Sequence, residues 1–251
     1  MKHQDVVNRP DLVACVFNMK LKELLKDIHK NNVLGATVAN VQVVEFQKRG
    51  LPHVHMLIML KDDHKLRDKD DIDKYVCAEI PDAAQNPRLF EIVTKCMIHG
   101  PCGPLNPQSP CMENGECTKD FPKHFAEETT YNVDGYPKYR RRDNGVTATI
   151  GSNKVDNRWV VPYNKWLSLK YNAHINLEVC SSVKSVKYLF KYVYKGHDCA
   201  NIKLSTTGPT DNKLNWDEIN TFLDTRYISA PEAMWRINEV PLHHSASSTL
   251  A

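Results

Sequence analysis

Residues 43–60, VVEFQKRGLPHVHMLIML, decide the fold of the first part of this chain. Two apolar runs flank the turn-forming segment QKRGLP, and this pattern predicts an antiparallel hairpin whose first strand follows Gly35. Because side chains alternate between the faces of a strand, His53 and His55 are expected on one face, roughly 6–7 Å apart. Pairing across the turn brings the carboxylate of Glu45 to that same face.

Two imidazoles and a carboxylate make a ligand set that suits Mn²⁺, Co²⁺, Ni²⁺ or Zn²⁺ and tolerates Mg²⁺. Three metal chemistries fit the spacing: a cupin-like oxygenase, an amidohydrolase-like zinc site and a metal-dependent nuclease. The oxygenase lacks its acid after the second histidine, the hydrolase needs further ligands of which His174 is one candidate, and the nuclease needs a nucleophile elsewhere. The alternative without metal is a pair of half-buried polar residues on a strand.

The remaining pattern predicts helices, strands and one irregular segment around this hairpin. Helices are predicted over 11–31, 71–79, 87–97, 182–196, 214–226 and 230–239, and strands over 156–164 and 171–180. Strands and helices do not alternate as βαβ units, so the predicted class is α+β.

Two tyrosines in the predicted helix 182–196 are candidates for the nucleophile. Tyr188 and Tyr192 are four residues apart and share a helix face, with Lys195 about one turn further along. A tyrosine hydroxyl that attacks phosphorus leaves a phosphotyrosine and a free sugar hydroxyl. The alternative is an ordinary amphipathic stripe that packs against a core.

Half of the 8 cysteines lie between Cys96 and Cys117, inside a segment rich in Gly and Pro that has no usable period. The spacing His-x2-Cys-x8-Cys-x5-Cys is suited to a closed tetrahedral Zn²⁺ that orders a segment without its own core. The predicted ligands are His99, Cys102, Cys111 and Cys117. Cys96 could replace His99, and His124 could enter the set.

Charge and hydropathy restrict the remaining functions. The chain has 251 residues with 33 Lys plus Arg against 30 Asp plus Glu, a net charge of +3, so any nucleic-acid surface must be local. The N-terminus lacks a signal peptide and the longest apolar run, Met56–Leu60, is too short to cross a bilayer, which predicts a soluble intracellular protein. Candidate phosphate contacts are Lys48, Arg49, Arg140, Arg141 and Arg142, and candidate stacking residues are Trp159, Tyr163 and Trp166.

The combination of these features resembles the HUH single-strand endonucleases, and in particular the helitron-like N-terminal domain of eukaryotic rolling-circle transposons. The resemblance runs from about Arg9 to about His243. The segments that carry it are EFQKRGLPHVHMLI, MIHGPCG, SPCMENGECTKDFPKHF, DGYPKYRRRDNG, DNRWVVPYN, HINLEVC, KYLFKYVYKGHD and RYISAPEAMWRI.

The resemblance implies an HUH-type nuclease fold, in which a central antiparallel sheet is flanked by helices. It implies Mg²⁺ or Mn²⁺ at His53 and His55 with Glu45 as third ligand, and nucleophilic roles for Tyr188 and Tyr192. Lys195 matches the lysine that ends the tyrosine motif. The implied activity is nicking and joining of single-stranded DNA in the nucleus, without a nucleotide cofactor or a membrane.

The expected organisation is a split nuclease domain. Its first part is 9–90, a zinc-binding insertion follows at 91–130, the second part is 131–200, and a helical extension spans 201–251. Relatives carry a helicase after this region, but no phosphate-binding loop occurs here, and the ending HHSASSTLA is expected to mark a fragment or truncated copy. Two other functions stay open, a catalytically inactive DNA-binding remnant and a small-molecule metalloenzyme.

Overall fold

The computed structural model describes residues 8–47, 50–131, 137–180 and 228–247. Within these ranges the helices and strands are, in chain order, α1 (Pro10–His29), β1 (Thr37–Phe46), β2 (Pro52–Leu60), α2 (Lys69–Tyr75), α3 (Pro87–Cys96), β3 (Met112–Glu113), β4 (Glu116–Cys117), β5 (Thr130–Tyr131), β6 (Pro137–Lys138), β7 (Ala148–Ile150), β8 (Asn153–Val155), α4 (Lys165–Tyr171), α5 (Ala230–Ile237) and β9 (His243–Ser247). The pairs formed by these strands are antiparallel, which confirms a mixed class with helices and antiparallel sheets.

The chain divides into two compact units, residues 1–61 with 186–251, and residues 62–185. The predicted four-part organisation stays a prediction. None of the described helices has the length and apolar character needed to span a bilayer.

The first unit contains a three-stranded sheet in the order β2-β1-β9. The predicted hairpin is present, with β1 and β2 paired from Thr37 opposite Leu60 to Phe46 opposite Pro52. The last strand, β9, pairs with the other edge of β1, and Val43 lies opposite His243. This strand comes from the ending HHSASSTLA, which gave no strand signal in the sequence.

Helices α1 and α5 supply the apolar residues that cover one face of this sheet. Ala14 and Leu21 of α1 pack with Val44 of β1 and Trp235 of α5 in one buried cluster. The indole of Trp235 is 1% exposed, and its ring lies 5.9 Å from that of Phe17. The apolar residues of α1 recur about once per turn on the side that faces the sheet. The helix predicted from this periodicity therefore forms where expected.

Gly50 closes the hairpin turn in a conformation that other residues rarely adopt. Its φ is +78°, and its N–H donates to the carbonyl of Gln47 at 2.7 Å. A Cβ at this position would lie 3.3 Å from Pro231 and from Ser229, next to the start of α5. The turn therefore requires glycine both for its backbone angle and for its close packing.

The second unit is organised by a core beneath the Gly- and Cys-rich segment. Val93, Met97, Val160 and Tyr163 are fully buried in one cluster. Single bridges between non-neighbouring segments tie this core together, with Cys77 opposite Tyr163 and Ile98 opposite Val160.

Three predicted elements of the second unit are wrong in type or extent. Residues 156–164 form a short 3-10 turn at Asn157–Trp159 and single bridges, because the side chain of Asp156 accepts from the N–H of Arg158 at 2.9 Å and competes with a strand ladder. Residues 171–180 alternate between half-buried and exposed but form no regular strand. Helix α2 ends at Tyr75, and Val76 is extended, so the helix predicted over 71–79 is too long.

Helix α4 was not predicted, and two predicted helices have no structural test. Asn164 begins α4, and its side-chain oxygen accepts from the N–H of Leu167 at 3.0 Å, which is the usual role of asparagine at this position. The predicted helices 182–196 and 214–226 lie outside the described residues. Helix α5 lies within the helix predicted over 230–239.

Candidate functional site

Glu45, His53 and His55 lie on one face of the β1–β2 hairpin. In the register of the pair, Glu45 is directly opposite His53, and Val43 is directly opposite His55. The Nε2 atom of His55 lies 3.3 Å from Oε2 of Glu45, and the two imidazole rings have centroids 5.7 Å apart. The side chains of His55 and Glu45 are 21% and 34% exposed, so solvent and a ligand can reach them.

Gln47 contacts this group and was not predicted from the sequence. Its Nε2 atom lies 3.4 Å from Nδ1 of His53. A contact to one ring nitrogen of a histidine influences which nitrogen carries the proton and which can bind a metal. The available signal was its position two residues after Glu45, directly after the end of β1.

The two imidazoles and the carboxylate fit a divalent ion by their chemistry, but they are less tightly gathered than a second group. Within the described residues, one group of at least three His, Cys, Asp or Glu side chains is placed to hold a metal. We call this group the Cys/His cluster. This cluster consists of His99, Cys102, Cys111 and Cys117, whose ligand atoms all lie within 4.8 Å of one another. The predicted four-residue set is therefore brought together and could hold a metal such as zinc.

A tight hairpin positions two of the cysteines. Cys111 directly precedes β3 and Cys117 ends β4, and Asn114 and Gly115 form the turn with φ of +52° and +85°. Positive φ at both central residues is the arrangement that Asn-Gly favours in two-residue hairpins. The Asn-Gly pair between the cysteines was the sequence signal for this hairpin, and it was missed.

The other two ligands come from the chain that follows α3. The N–H of His99 donates to the carbonyl of Trp159 at 2.8 Å, and the imidazole stacks on Phe121 with centroids 4.2 Å apart. Cys102 is fully buried, and every other residue between 99 and 125 is partly buried or exposed. The segment thus has almost no core of its own, as the sequence indicates.

The electrostatics of the cluster suit a cation. Burial, followed by the neighbouring Cys117 and Cys111 thiols, raises the pKa of Cys102 to about 12. Burial also opposes ionisation of Cys117, but backbone N–H groups of Phe121 and Lys119 outweigh it and lower the pKa of this thiol. Because metal ions bind thiolates, a zinc ion would supply the charge that Cys102 needs to ionise.

His99 is prepared as a neutral ligand. Burial lowers its pKa, and the positive charges of Lys123 and Lys119 lower it further. The Nε2 atom lies 3.6 Å from Sγ of Cys117. A neutral imidazole is the form that coordinates a metal, so the environment favours the ligand state at neutral pH.

The three consecutive arginines differ in their surroundings. Arg141 is 4% exposed, and its guanidinium donates to the carbonyls of Asn157 at 2.8 Å and Val160 at 2.6 Å. Burial lowers the pKa of Arg141 to about 10, so it remains charged at neutral pH. This geometry favours a structural role for Arg141 inside the second unit.

Arg140 and Arg142 are partly exposed and form ion pairs. Arg142 donates from Nε and from its terminal nitrogen to the two oxygens of Glu79 at 2.8 and 2.7 Å. Arg140 lies 3.0 Å from Asp73. Phosphate contacts by these two arginines stay a prediction.

The aromatic residues proposed for base stacking also separate. Trp159 and Tyr163 are 5% and 0% exposed and belong to the core, whereas Trp166 is 44% exposed. The ammonium of Lys170 lies 5.2 Å from the centre of the Trp166 ring. Tyr188, Tyr192, Lys195, Lys48 and Arg49 lie outside the described residues.

The fold and the two sites define the class of this protein. It mixes helices and antiparallel sheets, carries a histidine pair on one sheet and contains a Cys/His cluster. Residues 1–58 match the family model of the Helitron helicase-like domain at N-terminus. This match covers α1, β1 and most of β2, and it confirms the resemblance to the Helitron-like N-terminal domain. No curated protein matches the chain.

Proposed function

We propose that this chain is a metal-dependent domain of Helitron-type transposition that nicks and joins single-stranded DNA through a phosphotyrosine intermediate. The observation that carries the proposal is the convergence of Glu45, His53 and His55 on one sheet face, within or beside strands that match the Helitron model. The Cys/His cluster has a structural role in this proposal.

The side chains on the sheet face have the properties that a phosphoryl-transfer site requires. The carboxylate of Glu45 and the imidazole of His55 are in contact at 3.3 Å, and His53 lies beside them with one ring nitrogen near Gln47. The Nε2–H of His55 can donate to Glu45 and leave a lone pair on Nδ1. The amide nitrogen of Gln47 is a donor, so His53 would bind a metal through Nδ1 in place of this contact. A divalent Mg²⁺ or Mn²⁺ ion held by the three side chains would act as a Lewis acid on the scissile phosphate.

The bond changes are balanced within the protein and the DNA. The hydroxyl oxygen of Tyr188 or Tyr192 attacks phosphorus and forms a Tyr–O–P bond, while the bond from phosphorus to the 3′ oxygen breaks. The tyrosine loses its proton and the leaving oxygen gains one, which gives a free 3′-hydroxyl. Attack by another 3′-hydroxyl on the phosphotyrosine reverses these changes and joins strands, so no nucleotide cofactor is consumed.

Covalent capture of DNA tests the proposal. The purified chain is incubated with end-labelled single-stranded oligonucleotides and Mn²⁺, then separated on a denaturing gel. The expected result is a labelled protein band that a chelator abolishes and that the double variant Tyr188→Phe, Tyr192→Phe does not form. His53→Ala should reduce the band at least 100-fold, because loss of a group that stabilises developing charge costs about 10²–10³ in rate.

A matched histidine variant separates the site from general effects. His64 is exposed in a short turn at Asp62–His64 and belongs to the second unit. His64→Ala should leave the adduct yield unchanged. Metal and DNA binding without any adduct would indicate an inactive DNA-binding remnant, and absence of DNA binding would refute the proposed function and favour a small-molecule metalloenzyme.

A further inference from the structure

A third histidine shares the sheet face that carries Glu45, His53 and His55. On β1, Val43 pairs directly with His55 of β2 on one side and with His243 of β9 on the other. Residues directly opposite one another in neighbouring strands project to the same face of a sheet. His55, Val43 and His243 therefore form one row across the three strands.

The next residue along β9 provides a natural contrast, because it points the other way. His244 pairs with Gln42 of β1, and it therefore projects toward the α1 side of the sheet. Its effect on His29 of α1 agrees with this direction, because burial and then the charge of His244 lower the pKa of His29. The two adjacent histidines of β9 thus serve opposite faces.

The spacing of the strands limits what His243 can do. Two steps of strand spacing separate its backbone from that of His55 by roughly 10 Å. Glu45 is two residues from Val43 on the intervening strand, so it is a diagonal neighbour of His243 at roughly 7–8 Å between Cα atoms. This distance suits contact with a molecule bound over Glu45 and His55 better than direct participation in their ligand set.

We propose that His243 donates a hydrogen bond to a phosphate oxygen of the DNA strand bound at the Glu45, His53 and His55 face. The proposal rests on the proposed function and adds a phosphate contact from the last described strand. His243 is exposed, and in either neutral tautomer an imidazole keeps one N–H donor. Side-chain contacts to phosphate fix the register of a bound strand without reading its bases.

Two readouts besides activity test this role in the full chain. The affinity for fluorescein-labelled oligo(dT) is measured by anisotropy with and without Mn²⁺, and Mn²⁺ affinity is measured from the electron paramagnetic resonance signal of the free ion. His243→Ala should weaken Mn²⁺-dependent oligo(dT) binding about tenfold, the effect of losing one hydrogen bond to a charged group. Its Mn²⁺ affinity should stay within about twofold of the unmodified chain, as expected for a residue that is not a metal ligand.

His244→Ala is the control for disturbance of β9. It removes an imidazole from the same strand, at the neighbouring position of the ladder and on the opposite face, and it should leave oligo(dT) affinity unchanged. Equal oligo(dT) affinities for the His243→Ala and His244→Ala variants would overturn the proposal. A loss of Mn²⁺ affinity in His243→Ala would also overturn it, because His243 would then be a ligand or a structural support.

The same measurements distinguish this role from the proposed nicking reaction. Selective loss of oligo(dT) binding in His243→Ala, together with absence of a covalent adduct in the unmodified chain, supports the phosphate contact and refutes the nicking chemistry. If the covalent adduct forms equally well in His243→Ala and His244→Ala, and the two variants bind oligo(dT) equally, the nicking reaction is supported and the phosphate contact of His243 is refuted. Absence of Mn²⁺-dependent oligo(dT) binding by the unmodified chain overturns the His243 proposal.

Discussion

Substitution of one cysteine of the Cys/His cluster should remove one bound zinc ion and destabilise the second unit. Cys111→Ser is the chosen change, because serine keeps the size of the side chain and its hydroxyl is a poor zinc ligand. Cys111 is only partly buried, so the substitution itself leaves little cavity. Cys180→Ser is the matched control, since Cys180 is exposed and lies outside the cluster.

The geometry shows how little movement zinc binding requires. Tetrahedral Zn–S bonds of about 2.3 Å place sulfur atoms about 3.8 Å apart, and a sulfur and a nitrogen ligand about 3.5 Å apart. The ligand atoms here lie within 4.8 Å of one another, and Cys117 Sγ is 3.6 Å from His99 Nε2. Small side-chain adjustments therefore complete the site.

The magnitude follows from linkage between binding and folding. With free zinc roughly 1,000-fold above its Kd, binding stabilises the folded unit by about 4 kcal/mol. For a unit that spans residues 62–185, this free energy corresponds to a decrease of about 10–20 °C in Tm when the zinc is lost. Cys180→Ser should change Tm by less than about 2 °C, as expected for an exposed substitution.

Elemental analysis and thermal unfolding check the prediction. The unmodified chain and Cys180→Ser should each contain one tightly held zinc equivalent that Cys111→Ser lacks. His53→Ala should keep this equivalent, because His53 is not a member of the Cys/His cluster. Equal zinc content in the Cys111→Ser and Cys180→Ser variants would refute the assignment of the cluster, as would a Tm that does not respond to a zinc chelator.

Three further predictions concern stability. Gly50→Ala should destabilise the chain by about 1–2 kcal/mol or more, measured by urea unfolding, whereas Gly145→Ala should cost less because φ is also positive there but no atom lies within 4 Å. Glu79→Gln should cost about 1.5–3 kcal/mol at pH 7. Burial opposes ionisation of Glu79, but hydrogen bonds from Arg142 and the charges of Arg142 and Arg140 outweigh it and lower the Glu79 pKa. This stability is therefore present above the unfolded pKa, and the difference between parent and variant should vanish as pH falls through the folded pKa. Trp235→Ala should lower the free energy of unfolding by about 3–5 kcal/mol, because Trp235 is 1% exposed. Trp166→Ala should lower it by under about 0.5 kcal/mol, because Trp166 is 44% exposed. Similar values for the two variants would contradict the packing.

Local patterns in the sequence were sufficient for the hairpin and for the ligands of the Cys/His cluster. Alternating apolar residues and a Gly-containing turn placed His53 and His55 on one face, because strand geometry has a fixed period of two. The cysteine spacing predicted a four-ligand set because metal coordination requires particular side chains, and these can be read from the sequence. The helix over α1 followed from its apolar period.

Polar side chains account for several errors in the second unit. Asp156 and Asn157 bind backbone groups, with the Asn157 oxygen accepting from the N–H of Ile80 at 2.7 Å, and residues 156–164 therefore form a turn and bridges. The partner of Asn157 is 77 positions away. No local window contains that information.

The sequence by itself determined the hairpin, its histidine pair and the zinc-type ligand set, because strand alternation and ligand chemistry are local properties. The tertiary structure alone decided that Arg141 is buried among carbonyl groups and that β9 brings His243 into the row of His55. Both depend on contacts between segments distant in the chain, since a side chain's face and burial are set by the partner strand and the surrounding core. Two adjacent residues of the same type, His243 and His244, therefore lie on opposite faces of one sheet.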